Sequence, residues 1–333
     1  DVPVPQTYFG FHAHRLGTST VWPLAPFGTY RAWDAKVRWA DLEPMQGKWA
    51  FARLDYLVNE SAKRNIEFLL PLGMPPSWAS SEPAQPSAYG PGEAAPPKND
   101  NDWSNYVRTV ATRYRGKVKY YEIWNEPNLP KFYSGSPKRM VELTCLAKTQ
   151  IALIDKNARL VSPAPLGDYG VKWLSDFLRE GGGGCIDIVG YHFYNKHRPP
   201  ETHIDIARSV RLEMAKYGVS KLPIWNTESG WLISDAVQTI DAAQAGFRTG
   251  DFQLAEKESA SYLIREFVLH WVAGIDRSFF YAWDNGVMGL INKNGSLKPG
   301  ALAIDQLIGL MKGRTIPFCS TDNIVWQCEL KLS

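Results

Sequence analysis

Short apolar runs alternate with amphipathic stretches along most of this chain. Strand-like runs fall at Thr7–Phe11, Thr29–Trp33, Ile66–Leu72, Lys117–Trp124, Arg159–Ser162, Ile186–Tyr191, Leu222–Asn226 and Ser278–Trp283. Helical periodicity separates them. Trp103, Tyr106, Val107, Val110 and Tyr114 make one stripe, and Gly116 stands where a C-terminal cap belongs. Ser136-Pro137 opens a helix through Asp155, with Ser as N-cap and Pro in the first turn. Leu54–Arg64, Val171–Arg179, Thr202–Tyr217, Leu254–Trp271 and Ala301–Met311 complete the set. Eight strands alternating with helices predict an α/β (β/α)8 TIM barrel over residues 1–312. Residues 313–333 read as a short C-terminal β-hairpin extension, with Thr315–Leu330 forming two strands around Thr321-Asp322-Asn323. An open doubly wound sheet would need a Gly-rich phosphate loop after an early strand, which is missing. The Gly181–Gly184 run ends a helix and reads as a flexible connector.

Three connections exceed plain turns: Ala79–Asn101, Asn195–Glu201 and Trp231–Gly250. Each follows a strand, so in a barrel each lies on the catalytic face. Thirteen Trp and fifteen Tyr allow either a large aromatic core or a cleft in which sugar rings stack. The net charge of +3 is dispersed, which argues against a nucleic-acid partner, and no apolar run reaches membrane-spanning length. The chain starts Asp1-Val2-Pro3 without Met, as a mature chain does after loss of a signal peptide, so a secreted or periplasmic monomer is expected. Cys319 and Cys328 flank the predicted hairpin and suit a local disulfide. Four buried thiols, with Cys145 and Cys185, remain the alternative.

Two glutamates stand out, each behind a short apolar aromatic strand: Glu126 in Ile123-Trp124-Asn125-Glu126-Pro127 and Glu228 in Ile224-Trp225-Asn226-Thr227-Glu228. Catalytic groups of such barrels sit at the carboxyl ends of strands. Strands four and seven can aim two carboxyls across the mouth, the equipment for cutting a glycosidic bond. A gap of ~5–5.5 Å gives retention of configuration, and ~6.5–9.5 Å gives inversion.

The Trp124-Asn125-Glu126-Pro127 segment, with Glu228 closing strand seven, resembles clan A of the retaining glycoside hydrolases over residues 5–312. The resemblance implies that Glu126 is the acid/base, Glu228 the nucleophile and Asn125 a ligand of the sugar 2-hydroxyl. Asp41-Leu42-Glu43-Pro44, Gly47-Lys48-Trp49, Leu54-Asp55 and Pro76-Ser77-Trp78 resemble glycoside hydrolase family 39, whose members act on xylosides or bacterial exopolysaccharides. Family 5 is the rival and shares the pattern His192-Phe193-Tyr194. Burial beside Trp124 and the charge of Glu228 should raise the Glu126 carboxyl, while Arg31 and Tyr194 should keep Glu228 ionised. Further substrate contacts are expected from His12, His192, Trp283 and Asp284, with Trp78, Trp231 and Tyr89 as stacking platforms. The expected reaction is endo-acting double displacement on a polysaccharide or oligosaccharide, without metal or cofactor. Exo-acting xylosidase-like cleavage is the alternative. His12-Ala13-His14 and Asp284 also match part of a metal-dependent amidohydrolase site, but strand five supplies no His ligand and strand four no Lys.

Overall fold

The computed structural model describes residues 2–195, 198–233, 253–322 and 325–332. Eight parallel strands form the barrel: β1 Phe9–Phe11, β2 Thr29–Arg31, β3 Glu67–Leu72, β4 Tyr120–Ile123, β5 Arg159–Val161, β6 Val189–His192, β7 Ile224–Ser229 and β8 Arg277–Phe280. They run in the order β5-β4-β3-β2-β1-β8-β7-β6. The ring closes where Val161 bridges Ile188 and Ser162 N donates to Ile188 O at 2.9 Å. Most strands are shorter than their apolar runs, since the barrel's tilt lets only three to six residues of each strand pair, while β7 runs past its apolar stretch to Ser229.

Helices α1 Trp39–Leu42, α2 Ala52–Lys63, α3 Asp100–Arg113, α4 Pro137–Ile154, α5 Gly170–Arg179, α6 His203–Lys216, α7 Glu256–Val272 and α8 Pro299–Met311 surround it. Their starts follow local chemistry. The Asn99 side chain accepts from Asn101 N before α3, and that of Ser136 from Arg139 N before α4. Gly116 and Gly181 adopt left-handed φ values of 71° and 94° just beyond α3 and α5, where a β-carbon would be strained. The glycine run after α5 thus becomes a defined 3₁₀ turn, Gly182–Cys185. Helix α1 has no periodicity long enough to be read from sequence.

Inside the barrel, Leu69, Val161, Ile188, Trp225 and Phe279 pack as one small apolar layer. Phe68, Leu70 and Leu72, on the alternate face of β3, join the larger core beneath the helices. The motif Asp41-Leu42-Glu43-Pro44 belongs to that outer core. The Glu43 carboxylate accepts from Trp39 Nε1 and Gly47 N, both at 2.8 Å, and the Glu43 carbonyl from Trp78 Nε1 at 3.0 Å.

The tail hairpin, Arg314–Thr321 against Trp326–Leu332, pairs Cys319 with Cys328 in register, and a disulfide joins them. It hangs from the barrel through Val4, whose N donates to Arg314 O at 2.9 Å. A second disulfide, Cys145–Cys185, ties α4 to the turn after α5. No local spacing marks it, because its partners are 40 positions apart. The loop at Asn195–Glu201 is described except for 196–197, and the one at Trp231–Gly250 only over 231–233, with the rest outside the described residues, as is Asn323. Among the described residues no helix is long and apolar enough to cross a membrane.

A closed loop of that length restricts the unfolded chain by about 4 kcal/mol. Replacing Cys145 and Cys185 together by Ser should lower the guanidinium midpoint accordingly. Opening Cys319–Cys328 should lower it less, because that loop is shorter and its strands are mostly exposed.

Candidate active site

The mouth of the barrel holds a cavity of about 320 Å³. Glu126, Glu228, Asn125 and Tyr194 line it, with Trp33, Tyr89, Phe132 and Tyr281 as aromatic walls. Tyr89 comes from the long Ala79–Asn101 connection, which reaches the cleft as that loop's position demands.

Arg31, the last residue of β2, organises the floor. Its guanidinium is fully buried and reaches three partners: Nε donates to Glu122 at 2.5 Å, one terminal nitrogen to Glu228 at 2.8 Å and the other to Asn125 Oδ1 at 2.8 Å. Burial opposes its charge, but Glu122 and Glu228 outweigh that and raise its pKa. The Tyr194 hydroxyl donates to the other Glu228 oxygen at 2.9 Å. His192 Nδ1 lies 3.0 Å from Glu126. Burial pulls the His192 pKa down to about 4, so the ring is neutral at pH 7. Oxygens of Glu126 and Glu228 and a His192 nitrogen all lie within 4.8 Å of one another.

Both glutamates owe their aim to backbone irregularity. Trp124 and Glu126 have φ of 60° and 43°, left-handed values costing roughly 1–3 kcal/mol each. The turn is held by Trp124 N on Leu72 O at 2.7 Å, Trp124 Nε1 on Phe132 O at 2.6 Å and Glu126 N on Ala164 O at 3.1 Å. Gly73 is obligatory beside it, because a β-carbon there would lie 2.8 Å from the Trp124 ring. Strand β7 carries one residue more than either neighbour: Asn226 and Ser229 pair with Ser278 and Phe280, and Asn226 and Glu228 with Tyr191 and His192. This bulge at Thr227–Glu228 turns Glu228 into the cleft.

Electrostatics depart from expectation. Burial is the main force on the Glu228 carboxyl. Opposed by His192 and Arg31 and reinforced by Glu126, it leaves the carboxyl at about 7. Two donors alone do not keep it at an ordinary carboxylate value.

Of the residues expected here, Asn125, Glu126, Arg31, His192, Tyr194 and Glu228 come together. Five others serve elsewhere. His12 is buried, with Nε2 2.9 Å from Thr227 O and its ring edge against Tyr281, so it props the wall and does not line the cavity. Trp283 is packed in the core against Phe27. Asp284 spends both oxygens on backbone, accepting from His14 N at 2.7 Å and Arg15 N at 2.9 Å. Trp78 lies edge-on to Trp39 on the barrel flank, and Trp231 stacks on His203 beneath α6. Sequence reasoning missed Glu122, whose inward position on β4 was its one signal. It also missed Asp34, which accepts from the hydroxyls of Tyr89 and Tyr281.

Two groups among the described residues have metal-ligating side chains: Glu126–His192–Glu228, and His203–Glu266–His270 behind β7. In the first, both Glu228 oxygens already bond Arg31 and Tyr194, and a Glu126 oxygen pairs with His192 Nδ1. In the second, both His270 nitrogens and one Glu266 oxygen are committed to neighbours, so each reads as a hydrogen-bond network.

The match to known proteins agrees with this geometry. A beta-xylosidase of Geobacillus stearothermophilus is 25% identical over 218 residues, 55% of this chain and 41% of that protein, so the chain spans less than half that relative's length. Solved structures share the fold. A family 39 glycoside hydrolase from Bacteroides cellulosilyticus WH2 superposes at TM-score 0.74 with 19% identity, covering 98% of this chain and 68% of its own. A monomeric beta-xylosidase from Caulobacter crescentus CB15 gives 0.67 with 19% identity, over 91% and 64%. The sequence model for glycosyl hydrolases family 39 matches residues 45–229, more than half of the chain and a span holding both Glu126 and Glu228; the chain belongs to glycosyl hydrolase family 39.

Proposed function

We propose that the protein is a retaining O-glycoside hydrolase working by double displacement. The observation that carries this reading is the approach of one Glu126 oxygen to within 4.8 Å of one Glu228 oxygen, which favours the ~5–5.5 Å spacing of retaining enzymes over the ~6.5–9.5 Å that an inverting enzyme reserves for water. A Glu228 oxygen attacks the anomeric carbon while Glu126 gives its proton to the departing oxygen, leaving a glycosyl ester on Glu228. Glu126, now a carboxylate, takes a proton from water, which displaces Glu228 and regenerates it. The oxocarbenium-like charge that develops beside Glu228 in the transition state favours its ionised form. Asn125, oriented through Oδ1 by Arg31, is placed to offer its amide N–H to a sugar hydroxyl.

The cavity volume is at the low end of the ~300–1,000 Å³ usual for small-molecule sites. That favours exo-acting removal of single sugars from a xylosyl oligosaccharide, in keeping with relatives named beta-xylosidases. Endo-cleavage of a microbial polysaccharide is the second reading, supported by the loop-borne aromatic Tyr89 in the wall. Digestion of xylo-oligosaccharides and exopolysaccharides decides between them: monosaccharide alone as the first product means exo action, and a ladder means endo action. Two disulfides suit an oxidising compartment, so we further propose secretion or periplasmic location.

Glu228→Gly should lower kcat by at least about 10⁴-fold. Added azide should then restore turnover to a glycosyl azide of inverted configuration, whereas Glu126→Ala with azide should give the retained one. NMR of the product anomer reads both, and the opposite pattern would exchange the two roles.

The acid limb of kcat/KM should have its midpoint near pH 7, because protonation of Glu228 removes the nucleophile. Arg31→Met removes a neighbouring cation, so the limb should move to higher pH.

Stability carries the opposite sign. The folded carboxyl titrates above its unfolded value, so the wild type loses stability as pH rises through the interval between about 4.5 and 7. Glu228→Gln should therefore raise Tm at pH 8, by the equivalent of about 3 kcal/mol at most, and leave it unchanged at pH 4.

A further inference from the structure

Behind β7, away from the cleft, lies a buried polar cluster that the chemistry above does not use. Asn226 and Ser229 flank the bulge and both face outward towards α7. Asn226 Nδ2 donates to Ser229 Oγ at 2.6 Å and to Ser278 Oγ at 3.0 Å, and Ser229 Oγ donates to Glu266 on α7. Ser278 Oγ lies 2.9 Å from His270 Nδ1, and His270 Nε2 lies 2.9 Å from His203 Nδ1. All six side chains are buried. Asn226 Oδ1 also accepts from Phe193 N at 3.4 Å, one residue before the tyrosine whose hydroxyl holds Glu228.

In a regular strand Asn226 and Glu228 would share a face, and the carboxylate would point at the helices. The extra residue is what puts Asn226 and Ser229 on the outer face and Glu228 on the inner one. A buried hydroxyl or amide without a partner costs about 1–3 kcal/mol, so sliding the bulge by one residue would orphan several groups at once.

We propose that Asn226, Ser229 and Ser278, anchored on Glu266 and His270, are positioning residues that lock the β7 bulge and so aim Glu228 at the anomeric carbon. The inference rests on the nucleophile role given to Glu228 above. Burial raises the Glu266 carboxyl to about 8, so at pH 6–7 it is a neutral acid that Gln can imitate as the acceptor for Ser229, while Leu cannot.

The test compares Glu266→Gln, Glu266→Leu and Ser229→Ala with wild type at pH 6.5, using 2-deoxy-2-fluoro-β-xylosyl and -glucosyl fluorides as probes. Mass spectrometry follows the Glu228 adduct and steady-state kinetics follow turnover. In Glu266→Leu and Ser229→Ala the labelling rate constant and kcat should fall roughly tenfold to a hundredfold, with probe affinity and KM within about twofold, because misaim acts on the reacting geometry. Glu266→Gln should keep most of both. If Glu266→Leu does not fold, Ser229→Ala, which removes a single hydroxyl, carries the comparison. Wild-type labelling and kcat in folded Ser229→Ala, or only a lowered Tm, would overturn the lock. Absence of a Glu228 adduct in the wild type would instead overturn the nucleophile role itself.

Discussion

One guanidinium holds the mouth of this barrel together. Arg31 is out of water altogether, a position that burial alone would make untenable for a charge. Its planar fork offers donors in three directions, and β4, the turn after β4, and β7 each supply one acceptor: Glu122, Asn125 and Glu228. A lysine at this position could not span the three, since its ammonium is a single point at the end of a flexible stem. Removing the guanidinium would leave Glu122 and Glu228 buried without their shared partner, a larger loss than any single hydrogen bond would suggest.

Around that fixed point, aim comes from local departures from regular structure. Just beyond β4 the chain turns through two left-handed residues, Trp124 and Glu126 itself, and Gly73 leaves room for the Trp124 ring beside them. On β7 an inserted residue does the same work without positive φ, and hydrogen bonds on the far side fill the place of the lost ladder contacts. A barrel of ideal strands would present alternate residues at fixed heights. These two deviations bring carboxylates from different sides of the mouth to one place.

Most of the architecture could be read from the chain because it depends on local signals: apolar runs for strands, a stripe and a capping glycine for α3, Ser136-Pro137 for α4. The pair Glu126 and Glu228 and its immediate partners could be read too, since all stand at or just beyond strand ends. What could not be read depends on residues distant in sequence. Trp283, Trp231 and Trp78 look like sugar platforms as isolated letters, but their rings turn towards the core, His203 and Trp39. Asp284 is spent on the backbone after β1. Glu122 is hidden in an apolar strand, and the Cys145–Cys185 bond joins segments that only the fold brings together.

The shared guanidinium also bears on how such a site can change over evolutionary time. Asn125, the proposed ligand of the sugar, and Glu228, the proposed nucleophile, hang from opposite arms of the same side chain. Any substitution that re-tilts Arg31 to admit a different hydroxyl pattern at Asn125 also alters the charge and orientation of Glu228. Selectivity at the cleaved sugar is therefore mechanically geared to reactivity. Diversification that preserves rate is channelled outward, to the loops that carry Tyr89 and its neighbours, where walls can be remodelled without touching that gear.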